Sequence, residues 1–348
     1  MISLDNFDPS GCSFANGNFI GLPFDEKAAQ IVFLPVPWEV TVSSSAGCAR
    51  AADNILNASY QLDLYDADVK DAWKIGIFLR PLSKKILQKS DKFRALASQH
   101  IERVELKLKP KKEILAAVNK ACGKLQDWVE KQATEILDSG KIVGLIGGDH
   151  STPLGLLRAL GKKHKKEHFG VLHIDAHCDL RDAYEGFTYS HASIFRNALE
   201  SVPNISKLVQ VGIRDYCQEE LDYAKAQGNR VKIFFDQDLK EAQYKGDNFH
   251  KICLKIVAQL PQLVYISFDI DGLDPKLCPN TGTPVAGGFE LQQMYYLVKL
   301  VALSGRQIIG FDLVETGIGS EWDGNVAARM LYKMANLAAF SQGLASMA

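Results

Sequence analysis

From Lys141 onward, short apolar runs alternate with longer stretches in which apolar residues recur every three or four positions. The runs KIVGLI (141–146), FGVLHID (169–175), KLVQVGI (207–213), VKIFF (231–235), LVYISFD (263–269) and RQIIGFDLV (306–314) predict buried strands. Between them the spacing predicts helices over 152–163, near 191–200, and over 217–227, 248–259, 289–303 and 323–340. Such alternation predicts an α/β chain with a mostly parallel sheet and helices on both faces. Upstream, AQIVFLPVPW (29–38) reads as a first strand ended by prolines. Helical spacing returns at 47–58 and at 112–138, where Ile114, Leu115, Val118, Leu125, Val129 and Ile136 recur. The segment 62–110 is charged and harder to read; WKIGIFL predicts a strand, and KFRALASQHIERVELKL a helix running into a strand. The first twenty residues are polar and rich in glycine and asparagine, which predicts an irregular arm. No linker, repeat or low-complexity tract interrupts the chain, so one domain is expected over 1–348.

Composition narrows the function classes. A net charge of −1 gives no reason to expect a nucleic acid or a membrane surface as partner. The basic run KKHKKEH (162–168) reads as a solvated surface. Seven cysteines, odd in number and without C-x-x-C spacing, fit neither a disulfide framework nor a zinc finger. Reduced thiols, and no N-terminal signal pattern, predict a cytoplasmic protein. No apolar run approaches the ~18–20 residues of a membrane span.

The oddest polar residues fall at the carboxyl ends of strands, where open α/β sheets bind ligands. GGDH follows the strand 141–146, with Gly147 and Gly148 allowing the backbone to place His150. Asp175, His177 and Asp179 end a second strand as one row, with Cys178 facing away. Asp269 and Asp271 end a third, with Ile270 facing away, and Glu315 follows a fourth. Unpaired carboxylates in a dry site cost several kcal/mol each, and bound cations are the plainest remedy. His150, Asp175, His177, Asp179, Asp269 and Asp271 make six candidate ligands, which suits two ions better than one. Mixed oxygen and nitrogen donors without thiolate point to manganese first, with nickel, zinc and iron open. His173 reads as an orienting or core residue, and Asp149 as a turn acid.

GGDHS, DAHCD, SFDIDGLDP and TGTPVAGG, in this order and spacing, resemble the ureohydrolases: arginase, agmatinase, formimidoylglutamase and their relatives. The resemblance covers about 140–340, while GCARAAD (47–53) departs from the family's usual N-terminal pattern. It implies a three-layer α/β/α arginase-like fold and a homo-oligomer, trimer or hexamer. By the family pattern Asp175 and Asp269 bridge two manganese ions, His150 and Asp179 hold one, and His177 and Asp271 the other. His191 in YSHAS matches the family's acid/base histidine, and Glu315 its guanidinium-binding carboxylate.

The expected reaction is hydrolysis of a guanidino compound by a hydroxide shared between two ions. Two divalent ions (+4) against four carboxylates (−4) and one hydroxide leave −1, and Glu315 adds another. Such a site favours a small cation and disfavours a phosphate. The loop DLRDAYEG is closest to agmatinase-type members, so agmatine, giving urea and putrescine as in polyamine biosynthesis, is the expected substrate. Asp182 or Glu185 would favour its ammonium tail, whereas Arg181 would favour a carboxylate. Guanidine, a guanidino acid, arginine and formimidoylglutamate stay open as alternatives. So does a catalytically silent scaffold of the same fold.

Overall fold

The structure is a computed structural model and describes residues 7–348; the first six residues of the expected arm lie outside that range. The strands are β1 (Ile31–Val36), β2 (Ile77–Leu79), β3 (Ile142–Gly147), β4 (Phe169–Ile174), β5 (Ile205–Ile213), β6 (Val231–Phe235), β7 (Leu263–Asp269) and β8 (Gln307–Val314). The helices are α1 (Ala51–Ser59), α2 (Lys84–Glu105), α3 (Lys112–Asp138), α4 (Leu154–Lys163), α5 (Ile194–Ser201), α6 (Gln218–Ala226), α7 (Asp236–Tyr244), α8 (Phe249–Val257), α9 (Leu291–Leu303) and α10 (Glu321–Ser341). The strands form one sheet in the order β2-β1-β3-β8-β7-β4-β5-β6, parallel at every pairing.

Strands β1, β3, β4 and β7 are buried along their whole length, which is why they read as continuous apolar runs. On one face Ile55, Ile256, Met294 and Leu331 pack against Phe33, Ile266 and Phe311. On the other, Val118, Leu157 and Ala198 pack against Val143, Val171 and Tyr265. The result is the expected α/β/α sandwich. Cys178 and Ile270 lie in opposite cores, facing away from the strand-end acids.

Three elements differ from the sequence reading. Helix α2 runs to Glu105 and no strand follows it, because Leu106 and Leu108 point into solvent with no strand to pair. Helix α7 was not expected: DQDLKEAQY offers a single buried apolar residue, Leu239, so it has almost no periodic signal. Among the described residues the arm is irregular only over 7–18. Beyond it Phe19 and Ile20 enter the core, while the Asn18 amide donates to the Ile77 carbonyl and its oxygen accepts the Leu79 N–H. No helix among the described residues is long and apolar enough to cross a membrane.

Candidate metal centre

A parallel sheet brings all its carboxyl ends to one edge, and here the four central strands β3, β8, β7 and β4 deliver the unusual residues together. His150 follows β3, Glu315 follows β8, Asp269 closes β7, and Asp175, His177 and Asp179 follow β4. His150 Nδ1 lies 3.0 Å from Asp175 Oδ2, 3.1 Å from Asp179 Oδ2 and 3.2 Å from Asp269 Oδ2. His177 Nδ1 lies 3.4 Å from Asp175 Oδ1 and 3.1 Å from Asp271 Oδ2. Two groups therefore share Asp175, one oxygen each.

The backbone aims these carboxylates. Asp175 Oδ1 accepts the His177 N–H at 2.6 Å, Asp269 Oδ1 the Asp271 N–H at 2.9 Å, and Asp271 Oδ1 the Ala176 N–H at 3.0 Å. In Asp269 and Asp271 this leaves the second oxygen to face the imidazoles. Asp179 breaks the simple row expected of extended chain. It takes a left-handed backbone (φ 53), and its carbonyl is held by the Phe195 N–H. Glu315 is also left-handed (φ 59); its N–H donates to the Gly148 carbonyl and its Oε1 accepts the His150 N–H at 2.9 Å. Such backbone costs about 1–3 kcal/mol and persists where surroundings enforce it, commonly at functional sites. Gly148 serves by close approach: a Cβ there would fall 1.9 Å from the Trp38 carbonyl oxygen.

Behind the cluster runs a buried relay that the motifs did not reveal. His150 Nε2 lies 3.0 Å from Ser267 Oγ, which donates to Asp312 Oδ2 at 2.8 Å, and the Tyr265 hydroxyl donates to the same oxygen at 2.6 Å. His173 Nε2 donates to Asp175 Oδ2 at 2.7 Å while its Nδ1 accepts from Gln210 at 3.0 Å, so it orients Asp175 as expected. Burial lowers the His173 pKa to about 4, keeping that ring neutral. Asp149 is a turn acid, accepting the Ser151 N–H at 3.0 Å.

The cluster is short of positive charge. Burial, then Asp271 and Asp175, push Asp269 well above the carboxylate range; burial and Asp175 raise Asp179 to about 7. Burial opposes the charged form of His150, yet Asp175, Asp179 and Asp269 raise it well above the usual range. His150 Nδ1 and Asp271 Oδ2 are buried without an aligned hydrogen-bond partner, which costs about 1–3 kcal/mol for each such group. Imidazole and carboxylate atoms converging in two groups are a donor set that fits divalent cations.

A cavity of about 170 Å³ opens over the cluster. Glu315 and His191 line it. Burial and Asp149 push the Glu315 carboxyl well up. His191 begins a 3-10 turn capped by Ser190, and burial, then His177 and His150, lower its pKa to about 4. Of Arg181, Asp182 and Glu185, only Arg181 lines the cavity, 5.0 Å over the Tyr184 ring and 4.0 Å from Glu220. Asp182 instead pairs with Arg196 at 3.0 Å, and Glu185 is absorbed by a left-handed turn packed on α2. Neither is a tail-selecting acid in this geometry. Asp215, just beyond β5, lines the cavity in their place. Its position after a strand on the same edge was the signal that could have found it.

The profile of the arginase family matches residues 29–335. The chain is 30% identical over 312 residues to the N(1)-aminopropylagmatine ureohydrolase of Synechocystis sp., spanning 88% of each chain. It is 34% identical over 217 residues to the guanidinobutyrase of Pseudomonas aeruginosa, spanning 59% of this chain and 63% of that one. Among solved structures, the agmatine ureohydrolase of Thermoplasma volcanium superposes with a TM-score of 0.69 at 22% identity, over 92% of this chain and 94% of that one. At that identity the likeness speaks for the fold.

Proposed function

The chain belongs to the arginase family, and from that premise we propose that it hydrolyses a guanidino compound with a cationic tail, agmatine, to urea and putrescine. The observation that carries this reading is the pair of histidine–carboxylate groups sharing Asp175 beneath a cavity that also holds Glu315 and His191. His150 and Asp179 would hold one divalent ion, His177 and Asp271 the other, with Asp175 and Asp269 between them; manganese is the proposed identity. When bound, such ions supply an acidified water, since coordination lowers its pKa from about 15.7 to about 7.

The remaining work falls to side chains. Glu315, fixed by the His150 N–H, offers its second oxygen to the planar guanidinium, for which a carboxylate is the matching partner. Balancing +4 against the four aspartates leaves no spare positive charge, so the Glu315 carboxyl, pushed up by burial and Asp149, ionises most readily when a cation binds. His191, kept neutral by burial, can take the proton that the attacking water loses and give it to the leaving amine. Asp215, which lines the cavity with a largely exposed side chain 3.9 Å from His177 Nε2, would support an ammonium tail.

A second reading rests on one residue. Arg181 also lines the cavity, and its guanidinium would pair with the carboxylate of a guanidino acid. Urea release from agmatine, 4-guanidinobutyrate and arginine, measured with the manganese-loaded protein, separates the two. Agmatine with the highest kcat/KM is the expected result. Guanidinobutyrate ahead of agmatine assigns the tail to Arg181, and no urea from any guanidine overturns the activity itself.

A further inference from the structure

Two walls flank the cavity. Ser43 belongs to the segment 37–47 after β1; Arg181, Tyr184 and His191 belong to the segment 175–191 after β4. Strands β3, β8 and β7 lie between β1 and β4, so the walls rise from strands about 19 Å apart at the usual spacing. The sheet joins the walls only at their bases, and higher up His191 of the second wall meets the Thr41 backbone of the first.

Helix α2 also bridges them. Ser90 Oγ accepts the Glu39 N–H at 3.0 Å, and the Arg94 guanidinium donates to the Val42 carbonyl, so both hold the first wall. Ten residues beyond Ser90, His100 Nε2 donates to the Glu185 carbonyl at 2.8 Å, and its ring lies 5.2 Å from that of Phe187. A helix advances about 15 Å over that interval, a length that fits the gap. Ser90 and His100 are buried and Arg94 is half-buried, so these bonds are shielded from competing water. They end on backbone atoms, and therefore set where each wall stands rather than what it presents. Asn119 of α3 extends the hold on the second wall, donating to the Gly186 carbonyl at 3.2 Å and accepting the Thr188 N–H at 3.0 Å.

We propose that α2 is a crossbar fixing the separation of the two cavity walls, and that Arg94 and His100 are positioning residues for the substrate's tail. The proposal rests on the reading of the cavity as a guanidino-compound site. Arg181, Tyr184 and Ser43 stand on the upper walls, whereas His150, Asp269, Asp271 and Glu315 stand on strand ends between them, Asp175, His177 and Asp179 at the foot of the second wall beside β4, and His191 on the capped turn that leads into α5. Loosening the crossbar should therefore weaken tail binding and leave bond cleavage nearly intact.

The test uses the full chain, loaded with manganese, with agmatine as probe, and pairs kinetics with amide hydrogen exchange. His100→Ala is expected to raise KM about tenfold with kcat within about threefold of the wild type. Exchange should quicken in 181–190 and stay unchanged in β7. His100→Gln, whose amide can still donate to the Glu185 carbonyl, should restore both. Arg94→Ala should quicken exchange in 37–47 with the same kinetic split. Unchanged KM and exchange, a fall in kcat alone, or exchange quickened throughout the chain would each overturn the crossbar. If the wild type leaves agmatine intact, the substrate reading fails separately, and exchange confined to the two walls still decides for the crossbar while its absence decides against it.

Discussion

His150 can offer an Nδ1 lone pair to an ion held among the carboxylates only if its other ring nitrogen carries the proton. The relay behind it enforces this tautomer. Asp312 accepts from Tyr265, Ser267 and the Phe268 N–H, so the one hydroxyl proton of Ser267 is engaged and its oxygen accepts from His150 Nε2. Ser267→Ala is therefore expected to weaken metal binding by about 10- to 100-fold. Competition against a fluorescent chelator measures it, and unchanged affinity would show that something else orients the ring. His191→Asn is expected to lower kcat by about 10²- to 10⁴-fold with metal content unchanged, the usual range for losing a positioned acid/base; loss of metal would make it a ligand instead. The six candidate ligands were legible because carboxylates and imidazoles at apolar strand ends have no cheap structural explanation. Ser267 and Asp312 were not: a serine within a strand is unremarkable, and one acid in RQIIGFDLV shows its role only once β8 is beside β7. Asp182 and Glu185 misled because charge alone does not say which way a loop residue turns.

At the scale of elements, α10 is buried almost all round, yet Lys333 lies within it. Its Nζ sits 2.7 Å from Asp66 Oδ1 and 3.0 Å from Asp68 Oδ2, and Asn336 donates to Asp66 Oδ2 at 2.9 Å. This staples the segment before β2 onto α10. Lys333→Met should remove about 3–5 kcal/mol of stability, the usual effect of stranding a buried charge, as read by urea denaturation. Asp68 adds a pH dependence. Burial works to raise its pKa, but hydrogen bonds from Lys299 and Lys333 prevail and hold it below the ordinary value. A depressed carboxyl contributes stability above its unfolded pKa of about 4 and loses it as pH falls through the folded value. Asp68→Asn should therefore lower Tm at neutral pH and flatten the decline of Tm on acidification below about pH 5; a decline as steep as the wild type's would contradict this. The segment 62–110 resisted sequence reading for a related reason. Its buried apolar residues, such as Leu62, Val69, Ile75 and Ile77, are unevenly spaced and joined by polar bonds to distant residues, which leaves no clear periodicity before α2, whereas the β3-to-α10 elements other than α7 bury regular apolar faces and announce themselves.

For the whole molecule, the parallel sheet explains why residues from four separated motifs meet without any contact between the motifs in sequence. Their mutual repulsion is carried by the fold until cations arrive, so the fold and the metals are thermodynamically linked. Chelation should lower Tm, and manganese at about 100 times its Kd should restore about 2.7 kcal/mol per site. A Tm indifferent to both would separate the cluster from metal binding. The most direct measurement is an anomalous difference map from manganese-loaded crystals. Two peaks about 3.5–4 Å apart, one beside His150 and Asp179 and the other beside His177 and Asp271, are the result expected. A map with no peak among these side chains, or a single ion that leaves His177 and Asp271 unligated, would contradict the binuclear account.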